Sequence, residues 1–71
     1  MTWEEYSAAV VAGAKEQLQG YSWYRGVCVD GLDWHFEKGS SVEDAIETAV
    51  DLTIIWDAPW DFVLALAAGE S

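Results

Sequence analysis

Trp3, Tyr6, Val10, Ala14 and Leu18 follow one another at steps of three and four residues, the spacing that lines one face of a helix. Glu4, Glu5, Lys15 and Glu16 fall on the opposite side. Thr2 precedes the stripe and Glu5 stands three residues on, the arrangement of a capping box, while Gly20 is placed to end the element. The pattern predicts a helix over Thr2–Gln19. A second apolar arc, Val42, Ala45, Ile46, Ala49, Val50 and Thr53, predicts a helix over Ser41–Trp56. Ser40 or Ser41 caps it, and Glu43 and Asp44 sit in the first turn, where the helix dipole favours negative charge. Asp57-Ala58-Pro59 then interrupts the chain, because proline lacks a donor and clashes with the preceding turn. Asp57 can cap a last helix that tolerates Pro59 in its first turn and ends at Gly69. That helix is apolar almost all round, with Trp60, Val63, Leu64 and Ala67 on one face and Phe62 and Leu66 on another.

Between the two long helices, residues 21–39 fit two patterns. Asp30-Gly31 is a strong two-residue hairpin signal, since both positions then need positive φ. Around it Val27 and Val29, then Trp34 and Phe36, alternate with polar residues, and a hairpin would gather Val27, Val29, Leu32, Trp34 and Phe36 on one face. Tyr24, Val27, Cys28, Leu32 and Phe36 also fit helical spacing, but Gly26 and Gly31 would each cost a helix about 1 kcal/mol against alanine. The hairpin is favoured. The expected fold is therefore α+β: a long N-terminal helix, a β-hairpin, a long acidic helix and a short apolar C-terminal helix, with an all-α bundle as the alternative.

The chain's 71 residues make one acidic domain, and 52% of them are hydrophobic, so it should fold rather than remain a disordered acidic tail. Ten aromatic residues, five of them tryptophan, could supply the density that so small a core needs. Cys28 is alone and cannot form an internal disulfide. The acidic start, with no basic leader and no long apolar run, points to a soluble cytoplasmic protein. Thirteen acids against three bases leave a net charge of −10, which disfavours direct contact with nucleic acid or an anionic membrane.

That charge is unevenly distributed. No lysine or arginine occurs from Gly39 to Ser71, a stretch that carries Glu43, Asp44, Glu47, Asp51, Asp57, Asp61 and Glu70. On a helical wheel Glu43, Asp44, Glu47 and Asp51 fall within about 100°, opposite the apolar arc. Glu43/Glu47 and Glu47/Asp51 are like-charged i,i+4 pairs, each costing a few tenths of a kcal/mol. A solvated face normally interleaves both signs. Carboxylates that stand in for nucleic-acid phosphates would explain the imbalance. Successive acids at i,i+4 are ~6 Å apart along the axis, whereas duplex DNA carries a charge every ~1.7 Å. A mimic therefore needs a second acidic line, from Asp30, Asp33 and Glu37 at the hairpin or from Glu4 and Glu5.

In size and charge the whole chain resembles the small acidic inhibitors of bacteriophages, among them DNA-mimic anti-CRISPR proteins and inhibitors of restriction or repair enzymes. The resemblance implies a bacterial host protein with a nucleic-acid channel as target, for instance a CRISPR effector complex. On this reading the chain is a non-enzymatic inhibitor without cofactors. Glu43, Asp44, Glu47, Asp51, Asp57 and Asp61 meet lysines or arginines of the target, and Asp30, Asp33 and Glu37 form the second line.

The aromatic residues suggest another class. Trp3, Trp34 and Trp56 occupy positions that face the expected core, while Trp23 and Trp60 stand near element starts, where core and interface are both open. Ile54, Ile55, Phe62 and Leu66 either pack together across Pro59 or form an exposed patch. In the second case a homodimer or partner covers the patch, and the chain is an acidic adaptor or antitoxin-like protein. Asp33, His35 and Glu37, with Cys28 across the hairpin, offer metal-ligand chemistry, but their spacing matches no zinc or EF-hand pattern. His35 is the only histidine, and no nucleophile–base signature accompanies it. Asp30-Gly31-Leu32 lacks the serine that an acidic carrier protein would modify.

Overall fold

The computed structural model describes residues 1–69 and consists of four helices: α1 (Trp3–Leu18), α2 (Leu32–Lys38), α3 (Val42–Asp57) and α4 (Trp60–Gly69). No strand occurs among the described residues, so the fold is all-α and the expected α+β arrangement is overturned. No helix among them is long and apolar enough to cross a membrane.

The first helix forms as its stripe predicts. Thr2 Oγ1 accepts the Glu5 N–H at 3.2 Å, and Glu5 Oε1 accepts the Thr2 N–H at 3.0 Å, completing the capping box. Hydrogen bonding to Thr2, its backbone N–H first and its side chain second, lowers the Glu5 pKa. The box therefore stabilises the helix above the ordinary carboxylate pKa and loses that contribution as pH falls through the lowered value. At the other end Gln19, in the right-handed helical region, closes α1, and its N–H bonds to the Lys15 carbonyl at 2.8 Å. Gly20 is not the left-handed cap, since among the described residues positive φ occurs only at Gly31 and Gly39.

The hairpin fails at its turn. A two-residue hairpin of the Asp-Gly kind needs positive φ at both positions, but only Gly31 adopts it, at φ 78° and ψ 2°. The Leu32 N–H bonds to the Val29 carbonyl at 3.1 Å, so Val29–Leu32 is a turn of type II form, which splays flanking strands instead of pairing them. The Gly31 carbonyl then accepts the His35 N–H at 3.1 Å and starts α2. Gly39, at φ 86°, ends that helix: its N–H bonds to the Phe36 carbonyl at 3.2 Å, and the Ser40 N–H to the His35 carbonyl at 3.0 Å. These are the paired bonds of a Schellman motif. In α2, Leu32 and Phe36 lie one turn apart toward the core, while Trp34 and Val29 are exposed rather than aligned with them.

Ser41 caps α3, its side chain accepting the Asp44 N–H at 3.2 Å. Asp57 is the last residue of α3 and not the cap of α4. The carbonyl of Pro59 accepts the Phe62 and Val63 N–H groups instead, at 3.0 and 3.2 Å. Proline suits this place because its carbonyl can begin the helix while its missing donor is not needed.

Tyr6, Val10 and Ala14 of α1, Leu32 of α2, and Ala45 and Ala49 of α3 form the core, flanked by Val27, Phe36, Val42, Ile46 and Val50. A methyl group at Gly13 would overlap Ile46 Cδ1, so the glycine lets that side chain lie against α1. The Tyr6 hydroxyl donates to the Ser40 carbonyl at 3.1 Å, tying α1 to the start of α3. Burial first, and the Asp44 charge second, raise the Tyr6 pKa and keep the hydroxyl a donor. The tryptophans do not supply the core. Trp3, Trp34, Trp56 and Trp60 are 43%, 57%, 70% and 70% exposed, and Trp23 is half-buried. Trp3 instead packs edge-on against Phe36 at 5.5 Å, and the Lys38 ammonium lies 4.4 Å from the Trp34 ring centre.

Thr53 joins the middle segment to α3. It is fully buried, its Oγ1 donating to the Ala49 carbonyl at 2.7 Å and accepting the Cys28 N–H at 2.8 Å. Thr53→Val keeps the shape but leaves that N–H without its acceptor, and should cost about 1–3 kcal/mol. Urea unfolding should show the loss, with faster hydrogen exchange at the Cys28 amide; unchanged stability and exchange would refute this role.

Candidate functional site

Glu43, Asp44, Glu47 and Asp51 are all exposed on α3. The helix is placed by Ala45, Ala49 and Thr53, which turn inward against α1 and so direct the acidic arc outward. One edge of the arc reaches α1, where Gln17, Glu43, Ile46 and Glu47 line an open cleft of about 350 Å³. Gln17 thereby brings the last turn of α1, with exposed Glu16 preceding it in the chain, beside the arc. Helical spacing alone gives no sign of this cleft, because which turn of α1 meets the arc is set by tertiary packing.

The proposed second line is rearranged. Without a hairpin, Asp33 and Glu37 lie one turn apart on the exposed side of α2, and Asp30 belongs to the turn before it. Glu4 and Glu5 occupy the first turn of α1, the end that Tyr6 fastens to Ser40, and the Glu5 carboxylate is held in the capping box. Asp57 and Asp61 flank the α3–α4 junction, and Glu70 lies outside the described residues. None of the three bases forms an ion pair with a carboxylate among the described residues. The arc on α3 is thus charged surface that the chain's own bases leave uncompensated.

The other candidates separate. Helical spacing keeps Asp33 and Glu37 on one side of α2 but turns His35 to another, and among the described residues no three of His, Cys, Asp and Glu gather to hold a metal. His35 Nδ1 lies 3.1 Å from Ser40 Oγ, and its ring meets Trp34 edge-on.

The apolar C-terminal region is divided by Phe62. Tyr21 and Trp23 stack at 5.2 Å, and Phe62 packs edge-on against both, at 4.9 and 5.3 Å. This cluster docks α4 on the turn after α1. Phe62 therefore belongs to an internal contact, not to a free patch with Ile54, Ile55 and Leu66. Ile54 is half-buried, Ile55 is 64% exposed, and Leu66 is 42% exposed. Helix α4 buries no residue fully. Trp60 and Leu64, one turn apart, lie on the side of α4 opposite Phe62, and both are exposed. Trp56 continues the inward arc of α3 beyond Thr53, where no helix covers it.

The acidic arc opposes stability, which gives a test of its geometry. Glu47→Lys replaces two like-charged i,i+4 pairs with two attractive ones and should stabilise the fold by about 0.5–1 kcal/mol. A thermal melt at low salt should rise by roughly 3–6 °C, and the gain should shrink in high salt. An unchanged melting temperature at both salt levels would mean that these side chains do not face one another. Comparison with family models, with curated proteins and with solved structures gives no match.

Proposed function

We propose that this protein is a non-enzymatic acidic inhibitor that occupies the basic nucleic-acid-binding surface of another protein in the cytoplasm of a bacterial host. The observation that carries the reading is the exposed arc of Glu43, Asp44, Glu47 and Asp51, which no base of the chain compensates. A surface of this kind is attracted to lysine- and arginine-lined grooves and repelled by DNA and RNA themselves. A DNA-binding channel, such as that of a CRISPR effector complex, has the required sign and shape. Because one line of acids is too dilute to match duplex DNA, acids beyond α3 take supporting roles. Glu16 stands nearest along the chain to the cleft residue Gln17, Asp33 and Glu37 contribute from α2, Asp30 from its leading turn, and Asp57 and Asp61 extend the field toward α4. Glu4 adds charge at the start of α1.

The test is capture from a bacterial lysate on the immobilised protein at low and moderate ionic strength. Nucleic-acid-binding proteins should be retained at low salt, released as salt rises, and displaced by excess duplex DNA. The Glu47→Lys/Asp51→Lys variant should fail to retain them while remaining folded. Retention indifferent to salt, or unchanged in that variant, would refute the proposal.

A further inference from the structure

We infer that the α3–α4 junction carries a second surface, separate from the acidic arc, that docks a basic amphipathic segment of a partner protein. Its apolar part is Trp56, Trp60 and Leu64, each about half exposed or more. Chain geometry keeps these residues together. Trp56 and Trp60 are four residues apart across the junction, so their Cα atoms can be separated by at most about 14 Å. Trp60 and Leu64 are neighbours on one face of α4, roughly 6 Å apart at their Cβ atoms. The aromatic cluster at Phe62 fixes that face outward, and α3 ends its covered stretch at Thr53, leaving Trp56 uncovered.

Charge decides what covers it. Exposed Asp57 and Asp61 border the apolar residues, and no base follows Lys38 in the chain. A second copy is unfavourable, because a symmetric contact through this face would oppose these carboxylates and join two chains of net charge −10. An anionic membrane is disfavoured by the same sign. A protein segment with apolar residues for the indole faces and lysines or arginines for the two aspartates satisfies both requirements. Cations also bind indole faces, as Lys38 does on Trp34, and Trp56 and Trp60 have no such cation of their own. Exposed tryptophans are residues around which binding energy commonly concentrates. The inference does not depend on the arc of α3 being a nucleic-acid mimic.

The probe is a synthetic helical peptide with a leucine face flanked by lysines, titrated into the full chain by calorimetry and tryptophan emission. Binding with a blue-shifted emission is expected. Trp56→Ser/Trp60→Ser should weaken it by about tenfold or more. Asp57→Lys/Asp61→Lys, which leaves the apolar residues in place, should also weaken it. Circular dichroism checks that each variant stays helical. Glu43→Gln/Glu47→Gln should alter the affinity by less than about twofold, since those side chains are charged neighbours at longer range. Equal binding of a lysine-rich peptide without leucines, or of the glutamate-flanked counterpart, would overturn the proposal. So would equal loss on Glu43→Gln/Glu47→Gln, a stable dimer in sedimentation equilibrium, or tight adsorption to phosphatidylcholine vesicles.

Discussion

The packing of α1 against α3 is the contact on which the rest of the molecule depends. On α1 it uses Tyr6, Val10, Ala14 and Leu18, and on α3 the short side chains of Ala45, Ala49 and Thr53. Small residues on one side allow the helix backbones to come close, and Gly13 extends this by making room for Ile46. A close approach leaves little volume between the helices, so bulky rings have no place in the seam. Leu32 and Phe36 of α2 close one side of it, and the Thr53 hydroxyl fastens the preceding segment at Cys28. Two hydrogen bonds of opposite direction at that hydroxyl let a polar group lie fully buried at little cost.

Where the seam stops, the character of the surface changes. Past Thr53 the inward side of α3 has nothing to face, and Trp56 is left in solvent. Helix α4 docks through Phe62, set against Tyr21 and Trp23. The same cluster buries the Trp23 indole N–H without a partner, which offsets part of what the rings contribute. The radius of gyration, 12.7 Å, exceeds the roughly 11 Å of a compact chain this long. The C-terminal helix is thus a weakly buried projection on a dense two-helix seam, and the least protected apolar surface concentrates there.

Much of this was legible in the sequence because helical periodicity is a repeated signal. Both long helices, the box at Thr2 and Glu5, the cap at Ser41 and the buried position of Thr53 follow from it. Segment 21–39 departs from the hairpin pattern because Asp30-Gly31 suits two turn types, which differ in the backbone conformation of Asp30. Alternation over Trp34 and Phe36 could not reveal that Phe36 pairs with Leu32 four residues back. Tryptophan was misplaced for a different reason. Hydrophobicity assigns it to a core, but only the volume between α1 and α3 decides whether a ring fits there. Trp56 has the right helical angle and still lies beyond the covered stretch. The acidic arc is visible as a pattern, whereas the cleft that Gln17 forms with Glu43 and Glu47 is a tertiary fact.

Charge and apolar exposure then have one common consequence. Like-charged pairs along α3 work against the stability of a domain with a small core, and the uncovered tryptophans at its end add little to it. Neither is needed to build the seam, since Glu43, Asp44, Glu47 and Asp51 are exposed at its margin or outside it and Trp56 and Trp60 lie beyond it. A surface meant only for solubility would interleave bases with the acids and would not leave indoles in water. On the readings proposed above, positive charge on a partner would give the carboxylates counter-charges, and apolar side chains would take the rings out of solvent. Asp57 and Asp61 border the rings themselves, so at the junction a charged and an apolar contact would fall on one partner without the arc of Glu43 and Glu47. Electrostatic attraction would then govern the rate of encounter and the fit of the rings the lifetime of the complex.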